Sequence, residues 1–179
     1  MADFYSDHYT ATASSTSQDD PRIKAAPGIA HAKIHYKRGS VTTTAATAAG
    51  DVLRFFQLKS SDRLLELRAS TVGDAGTSAT ADFGLHLTDG GAVVDADLFY
   101  AGNLDIKAAV AGVDVMKDGA VDDHDRGKQL WEISDEGASS YGSLAAAPSV
   151  FDVTATIVAE VAIAGAEIIL EAYYTSAGS

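Results

Sequence analysis

Two segments near the C-terminal end alternate apolar and polar side chains with a period of two, and this alternation is the strongest constraint on the fold. The apolar face of residues 150–160 carries Phe151, Val153, Ala155, Ile157 and Ala159. The apolar face of residues 166–175 carries Ala166, Ile168, Leu170, Ala172 and Tyr174. A period of two indicates half-buried β-strands rather than helices, and Ala164 and Gly165 leave room for a reversal between them. The pattern predicts that the protein ends in an antiparallel hairpin.

Four earlier segments show the same alternation. They are residues 34–43, with a predicted bend at Gly39 and Ser40, then 51–58, 62–70 and 79–88. The predicted inward positions are Leu65, Leu67 and Ala69 in the third segment and Ala81, Phe83, Leu85 and Leu87 in the fourth. The Gly-rich connection between these last two has the length and composition of a hairpin loop.

Residues 89–128 break this rhythm. Asp95 is a suitable N-cap for a single helical turn over residues 98–100, and the Ala-, Gly- and Asp-rich remainder predicts a long irregular insertion. Residues 129–133 then return to a predicted strand, in which Leu130 and Ile133 flank the single tryptophan. Seven or eight strands without a long helix indicate an all-β protein over residues 33–179. An antiparallel β-sandwich of jelly-roll type is favoured over a barrel.

The N-terminal segment differs from the rest in composition. Residues 1–32 are rich in Ser, Thr, Ala and Asp, contain breakers such as Pro21, Pro27 and Gly28, and have hardly any apolar periodicity, so we expect an extended arm. A run without acidic residues carries Arg22, Lys24, Lys33, Lys37 and Arg38. Residues 89–125 carry nine Asp against two Lys. The two charged regions could face different partners, or both could be solvated surface.

Composition excludes several classes of function. The formal net charge of −12 opposes binding to nucleic acid, which depends on Lys and Arg neutralising phosphates. The absence of cysteine excludes disulfides, thiolate metal sites and a Cys nucleophile. No basic and apolar leader and no run of roughly 18 apolar residues is present, so we expect a soluble protein made in the cytoplasm, without membrane contact.

Candidate catalytic and metal sites are weak. Asp118 and residues 122–125 (DDHD) could offer oxygens to a hard cation, but they lack the EF-hand spacing, and a solvated loop is the favoured interpretation. His31 and His35 lie in a loop passing into a strand, where a spacing of four does not align ligands. Asp95 and Asp97 are explained by capping rather than as an acid/base pair, and no nucleophile motif is present. We therefore expect no enzyme activity, no metal and no cofactor.

Several segments together resemble a known family: 26–39 (APGIAHAKIHYKRG), 51–70 (DVLRFFQLKSSDRLLELRAS), 79–102 (ATADFGLHLTDGGAVVDADLFYAG), 129–133 (QLWEI) and the two closing strands. Their order is similar to that in small structural proteins of tailed bacteriophages, which are regarded as head decoration (cement) or minor virion proteins. The resemblance covers residues 26–175. It implies a non-enzymatic virion protein on the capsid exterior that binds the major capsid protein and itself, as a homotrimer. The five basic residues named above would then form a capsid-binding arm.

An alternative of another class stays open at this point. A carbohydrate-binding or adhesin-type jelly-roll module of a head fibre or tail would need aromatic side chains on one exposed face. The candidates are Tyr100, Trp131, Tyr141, Tyr173 and Tyr174. A jelly-roll or cupin enzyme would need clustered His and Glu ligands, and His86, alone on its strand, argues against one.

Overall fold

The fold consists of strands with one short helix. The computed structural model describes residues 33–44, 47–73, 79–88, 90–106, 109–116, 126–136, 141, 143, 145–159 and 165–176. The strands are β1 (Ile34–Thr42), β2 (Val52–Lys59), β3 (Arg63–Val72), β4 (Thr80–Leu87), β5 (Val93–Asp105), β6 (Val110–Asp114), β7 (Val150–Ala159) and β8 (Glu167–Thr175). The helix α1 (Leu130–Glu136) lies between β6 and β7.

The strands form two antiparallel four-stranded sheets. Sheet 1 has the order β1-β8-β3-β6, and sheet 2 has the order β2-β7-β4-β5. The pairs β1·β8, β2·β7, β3·β6 and β4·β5 are nested, as when one long hairpin is rolled up into two facing sheets. This is the jelly-roll arrangement, so the predicted all-β sandwich is confirmed.

The core lies between the inner faces of the two sheets. Phe83, Phe151 and Ile157, which the alternation places inward, are all fully buried or nearly so. The predicted inward faces of β7 and β8 are also correct, with Val153 and Leu170 fully buried. The period of two therefore identified the core-facing residues of the central strands.

The predicted pairing of the closing strands is wrong. β7 belongs to sheet 2 and β8 to sheet 1, so they face each other across the core and do not form a hairpin. The predicted hairpin between the third and fourth segments is wrong for the same reason, since β3 and β4 also lie in opposite sheets. Alternation reports which face of a strand is buried, and the same pattern results whether two strands pair or stack.

A β-bulge changes the facing of β3. The pairing of β3 with β8 shifts register between Leu64 and Glu66. Leu64 is therefore fully buried, whereas Leu65, the predicted inward residue, is only half-buried. Beyond the bulge Leu67 and Ala69 are buried as predicted. An extra residue in one strand inverts the alternation on one side of it.

The helical turn predicted after Asp95 is wrong, because this stretch belongs to β5. Phe83 pairs with Tyr100 and Leu85 with Asp95, so two steps along β4 match five along β5. The surplus residues form bulges, which let the neighbours Leu98 and Phe99 both be buried. Because β5 and β6 occupy residues 93–105 and 110–114, the irregular part of the predicted insertion is shorter than expected.

Residues 129–133 begin a helix and not the predicted strand. Leu130 and Ile133 are buried at a spacing of three, which is one face of a helical turn. The Glu132 carboxylate accepts a hydrogen bond from the Gln129 backbone N–H at 2.6 Å, as in the second half of a capping box. Short apolar runs do not distinguish strand from helix, and this local cap favours the helix.

The bend predicted at Gly39 and Ser40 is absent, because β1 runs without a break from Ile34 to Thr42. Gly39 serves a close approach instead. A Cβ atom at this position would lie 2.6 Å from the Phe55 carbonyl oxygen of β2. The absence of a side chain therefore lets β1 and β2, the edge strands of the two sheets, come together.

Candidate interaction surface

β1 and β2 lie side by side at one edge of the sandwich. Within the described residues β1 pairs only with β8, and β2 only with β7. The Lys37 ammonium crosses from one edge strand to the other and donates a hydrogen bond to the Gln57 carbonyl oxygen at 2.6 Å. The edge of sheet 1 therefore borders two surfaces: the outer face of that sheet and the cleft between the edge strands.

The outer face of sheet 1 exposes apolar and aromatic side chains along β1. Ile34 is 66% exposed and Tyr36 is 51% exposed. The Tyr36 ring lies beside that of Tyr173 on β8, with centroids 5.3 Å apart. The Tyr36 hydroxyl donates to the Glu171 carboxylate at 2.5 Å, and this hydrogen bond raises the pKa of Tyr36. The sheet thus holds an exposed tyrosine in a defined orientation.

A row of alternating charges crosses the same face. Arg38, Glu171, Arg68 and Asp114 stand opposite one another on β1, β8, β3 and β6. Arg68 also binds Glu66 at 2.7 Å, and the Asp114 carboxylate accepts from Arg126 at 2.7 Å. Opposite charges on neighbouring strands stabilise a sheet modestly. This face is therefore close to neutral in an acidic protein.

The cleft between β1 and β2 has a volume of about 350 Å³. Its lining comprises His35, Lys37, Gln57, Leu58, Lys59, Asp62, Val150, Tyr174 and Ser176. The His35 ring stacks on Tyr174 with centroids 5.4 Å apart. Burial raises the pKa of Tyr174, so its hydroxyl stays protonated. The cleft combines cations at its rim with an aromatic and aliphatic floor.

The predicted capsid-binding residues are divided by the fold. Arg22, Lys24 and the arm of residues 1–32 lie outside the described residues. Lys37 points into the cleft, while its neighbour Arg38 stands in the charged row on the outer face. Successive residues of a strand point to opposite sides, so one basic run supplies two surfaces. Lys33 is exposed just before β1.

Sequence reasoning missed several residues of this surface. Ile34 and Tyr36 lie on the outer face and not in the core, and Lys59 reaches the cleft from β2. Tyr173 joins Tyr36 only because β8 pairs with β1. The one signal available in the sequence was the apolar pair so close to a basic run, which is unusual for a core strand.

The five aromatic residues of the glycan-binding alternative do not share a surface. Tyr100 packs partly buried against the core, and Tyr141 lies against Phe151 with ring centroids 6.0 Å apart. Trp131 lies on α1, where its indole N–H donates to the Gln129 side chain at 2.6 Å. Tyr173 lies on the outer face of sheet 1, and Tyr174 lines the cleft. No aromatic platform results from these residues.

A buried polar network lies on the outer face of sheet 2. Arg54 pairs with Asp152 at 2.5 Å and donates to the Leu87 carbonyl oxygen at 2.6 Å. Beside this pair, His86 Nδ1 lies 2.9 Å from the Thr154 hydroxyl. Burial, and secondarily the charge of Arg54, lowers the pKa of His86. The network links β2, β7 and β4, so these polar groups serve the fold.

The described residues offer little to other ligand classes. Within them no group of three or more His, Asp or Glu side chains is placed to hold a metal ion. The acidic cluster of Asp118 and residues 122–125 lies outside the described part. No described helix has the length and apolar character needed to cross a bilayer.

Comparisons with known proteins found similarity only to solved structures. No family model and no curated protein matches the chain. Two solved structures are similar. The capsid of Ralstonia phage GP4 has a TM-score of 0.45 and 17% identity, covering 82% of this chain and 86% of that chain. The cyanophage Pam1 capsid asymmetric unit has a TM-score of 0.41 and 16% identity, covering 93% of this chain and 99% of that chain.

Proposed function

We propose that this protein is a structural, non-enzymatic virion protein that decorates the exterior of a tailed-phage capsid and stabilises it by binding the major capsid protein. The observation that carries the proposal is the uncovered outer face of sheet 1. There Ile34 and Tyr36 are exposed beside the row of paired charges. Aromatic residues and arginine are enriched at protein interfaces. The protein has a net charge of −12, so a face with paired charges can meet an acidic partner surface with less repulsion than the acidic parts of the protein.

A repetitive lattice makes a modest interface sufficient. Each subunit contributes a limited patch, but many copies bind the same particle, and linked contacts reinforce one another. Self-association of the jelly roll, which we propose to be a trimer, would increase this effect because three patches would bind together. The apolar groups of the outer face would supply the contact, and the paired charges would set its orientation.

The basic run supplies the second part of the proposal. Arg22, Lys24, Lys33, Lys37 and Arg38 would meet acidic groups of the capsid or of a neighbouring subunit. Such contacts accelerate association and weaken with added salt, because ions screen exposed charges over about 10 Å at 0.1 M. Decoration should therefore be more sensitive to salt than the fold itself.

The test is co-sedimentation of purified protein with undecorated heads. Replacing Ile34 and Tyr36 together by Ala should reduce head occupancy severalfold at equal concentration, because the exposed apolar contact is lost. The matched control replaces Val93 and Val158, exposed aliphatic residues of sheet 2, by Ala. Circular dichroism should show all three proteins folded. Equal occupancy by both double variants and the wild type would reject the outer face of sheet 1 as the binding surface.

A further inference from the structure

The cleft between β1 and β2 concentrates positive charge in an acidic protein. His35, Lys37 and Lys59 line it, and Lys33 precedes it in the chain. Asp62 is the only acid in the lining, and its carboxylate accepts hydrogen bonds from the Lys59 backbone N–H at 2.9 Å and the Ser176 hydroxyl at 2.8 Å. The Lys37 ammonium donates one hydrogen bond to the Gln57 carbonyl oxygen. Its other two N–H groups and the Lys59 ammonium can bind an anionic group from outside the cleft.

The floor of the cleft also favours a ligand with apolar or aromatic groups. Val150 contributes aliphatic surface, while Leu58 beside it is buried, and Tyr174 presents a ring that stacks on His35. A ligand that fits would carry carboxylates close to aromatic or apolar side chains, so that ion pairs form at the rim while a ring packs on the floor. An acidic, aromatic peptide has this chemistry.

Such a peptide is present in this chain. Residues 1–20 contain four Asp and no Lys or Arg. The carboxylates are at Asp3, Asp7, Asp19 and Asp20, and the aromatic residues among and beside them are Phe4, Tyr5 and Tyr9. The charge of this segment is thus opposite to that of the basic run which follows it and of the cleft.

The connection to the cleft is short. Residues 21–32 join the acidic segment to Lys33, which is two residues from His35 of the lining. Twelve residues span at most about 40 Å, and a tether of at most this length holds its end at a local concentration in the millimolar range. Binding within one chain is therefore favoured over binding between chains.

We propose that residues 1–20 bind in the β1–β2 cleft of their own subunit, with Asp carboxylates on Lys37 and Lys59 and an aromatic side chain on the Tyr174 floor. This contact covers the edge of β1, which as an unpaired sheet edge would otherwise be open to non-native strand pairing. The proposal does not depend on capsid binding.

The test uses the full chain, with unlabelled and ¹⁵N-labelled protein mixed one-to-one under denaturing conditions and refolded together, so that any oligomer contains both. The mixture is treated with a zero-length carbodiimide that joins carboxylates to amines in contact. Mass spectrometry should find Asp3, Asp7, Asp19 or Asp20 joined to Lys37 or Lys59, almost entirely in pairs of a single isotope composition. High salt should reduce these links severalfold. Lys59→Gln should remove its own link, whereas Lys128→Gln, outside the cleft, should leave the cleft links unchanged.

A second measurement avoids the cross-linker. Replacing the four Asp of residues 1–20 by Asn should shift the amide resonances of His35, Lys37 and Lys59 while leaving those of sheet 2 unchanged. Links of mixed isotope composition would overturn the proposal in favour of exchange between subunits. Links spread evenly over Lys128 and the cleft lysines, or unchanged cleft resonances in the Asn variant, would overturn it altogether. None of these outcomes uses phage heads, so they are independent of the decoration test.

Discussion

The outer faces of the two sheets differ in how deeply their polar side chains are buried. On sheet 2 Asp152 and His86 are buried and Arg54 is partly buried. There β5 comes so close that a Cβ atom on Gly84 would lie 2.1 Å from the Asp95 carbonyl oxygen. On sheet 1 the charges form a row at the surface beside the exposed Tyr36. Among the described residues, polar groups of sheet 2 are thus buried by the chain itself, whereas those of sheet 1 stay at the surface.

The difference has an energetic meaning. A buried charge that loses its partner is costly, whereas exposed ion pairs contribute little because water and salt screen them. Substitutions of polar residues on sheet 2 should therefore lower the stability of the fold. Substitutions on the outer face of sheet 1 should leave stability nearly unchanged and weaken the proposed binding. The three predictions that follow test the stability side of this comparison, from the largest effect to the smallest.

The largest loss of stability is expected from a substitution in the core between the two sheets. Phe83 is fully buried on β4, so Phe83→Ala should lower the free energy of unfolding by about 3–5 kcal/mol, as aromatic truncations in a core do. Thr80→Ala on the same strand is the control, since Thr80 is only half-buried at the strand's start. Chemical denaturation measures both. Similar midpoints for the two variants would show that the assigned facing of β4 is wrong.

The Arg54–Asp152 pair should be the most sensitive polar contact. Arg54→Ala leaves the Asp152 carboxylate, 7% exposed, without its ion pair and should cost about 3 kcal/mol. Arg68→Ala, which breaks an exposed pair with Glu66 on sheet 1, should hardly change the denaturation midpoint. Equal losses of stability in the two arginine variants would show that the ion pairs of the two sheets do not differ in their contribution to the fold.

Acidification should act on sheet 2 through His86. Its pKa is lowered in the folded state, so the unfolded chain takes up the proton first. Stability is then retained above the ordinary pKa of about 6.5 and decreases as pH falls below it, until the folded state is protonated as well. Comparing thermal melts of wild type and His86→Asn between pH 8 and pH 5 isolates this effect. Equal loss in both proteins would assign the acid sensitivity to other groups.

The sequence predicted which face of most strands is buried, but not which strands pair with each other. Val153 and Leu170 are buried as the alternation predicts, because burial on one side of a strand imposes a period of two. The inward facing predicted for Leu65 and the helical turn predicted over residues 98–100 were wrong because both lie at bulges, where an added residue interrupts that period. The strand predicted over residues 129–133 was wrong because the seven-residue helix there, about two turns long, is too short for its period to be recognised.

The candidate surface was less predictable than the fold. The basic residues of β1 were visible in the sequence, but their division between cleft and outer face depends on the pleat of a strand whose limits were not known. Lys59 and Tyr173 are distant from β1 in sequence, and only the β1·β8 pairing and the approach of β2 bring them to it.

By itself, the sequence determined that this protein is an antiparallel β-sandwich, which residues of its central strands face the core, and where its charges are concentrated. Only the tertiary structure decided that β7 and β8 stack across the core and that, among the described residues, His86 and Asp152 of sheet 2 are buried while Tyr36 of sheet 1 is exposed. The physical reason is that alternation and composition record local burial and charge, whereas pairing depends on contacts between strands that are far apart in the chain.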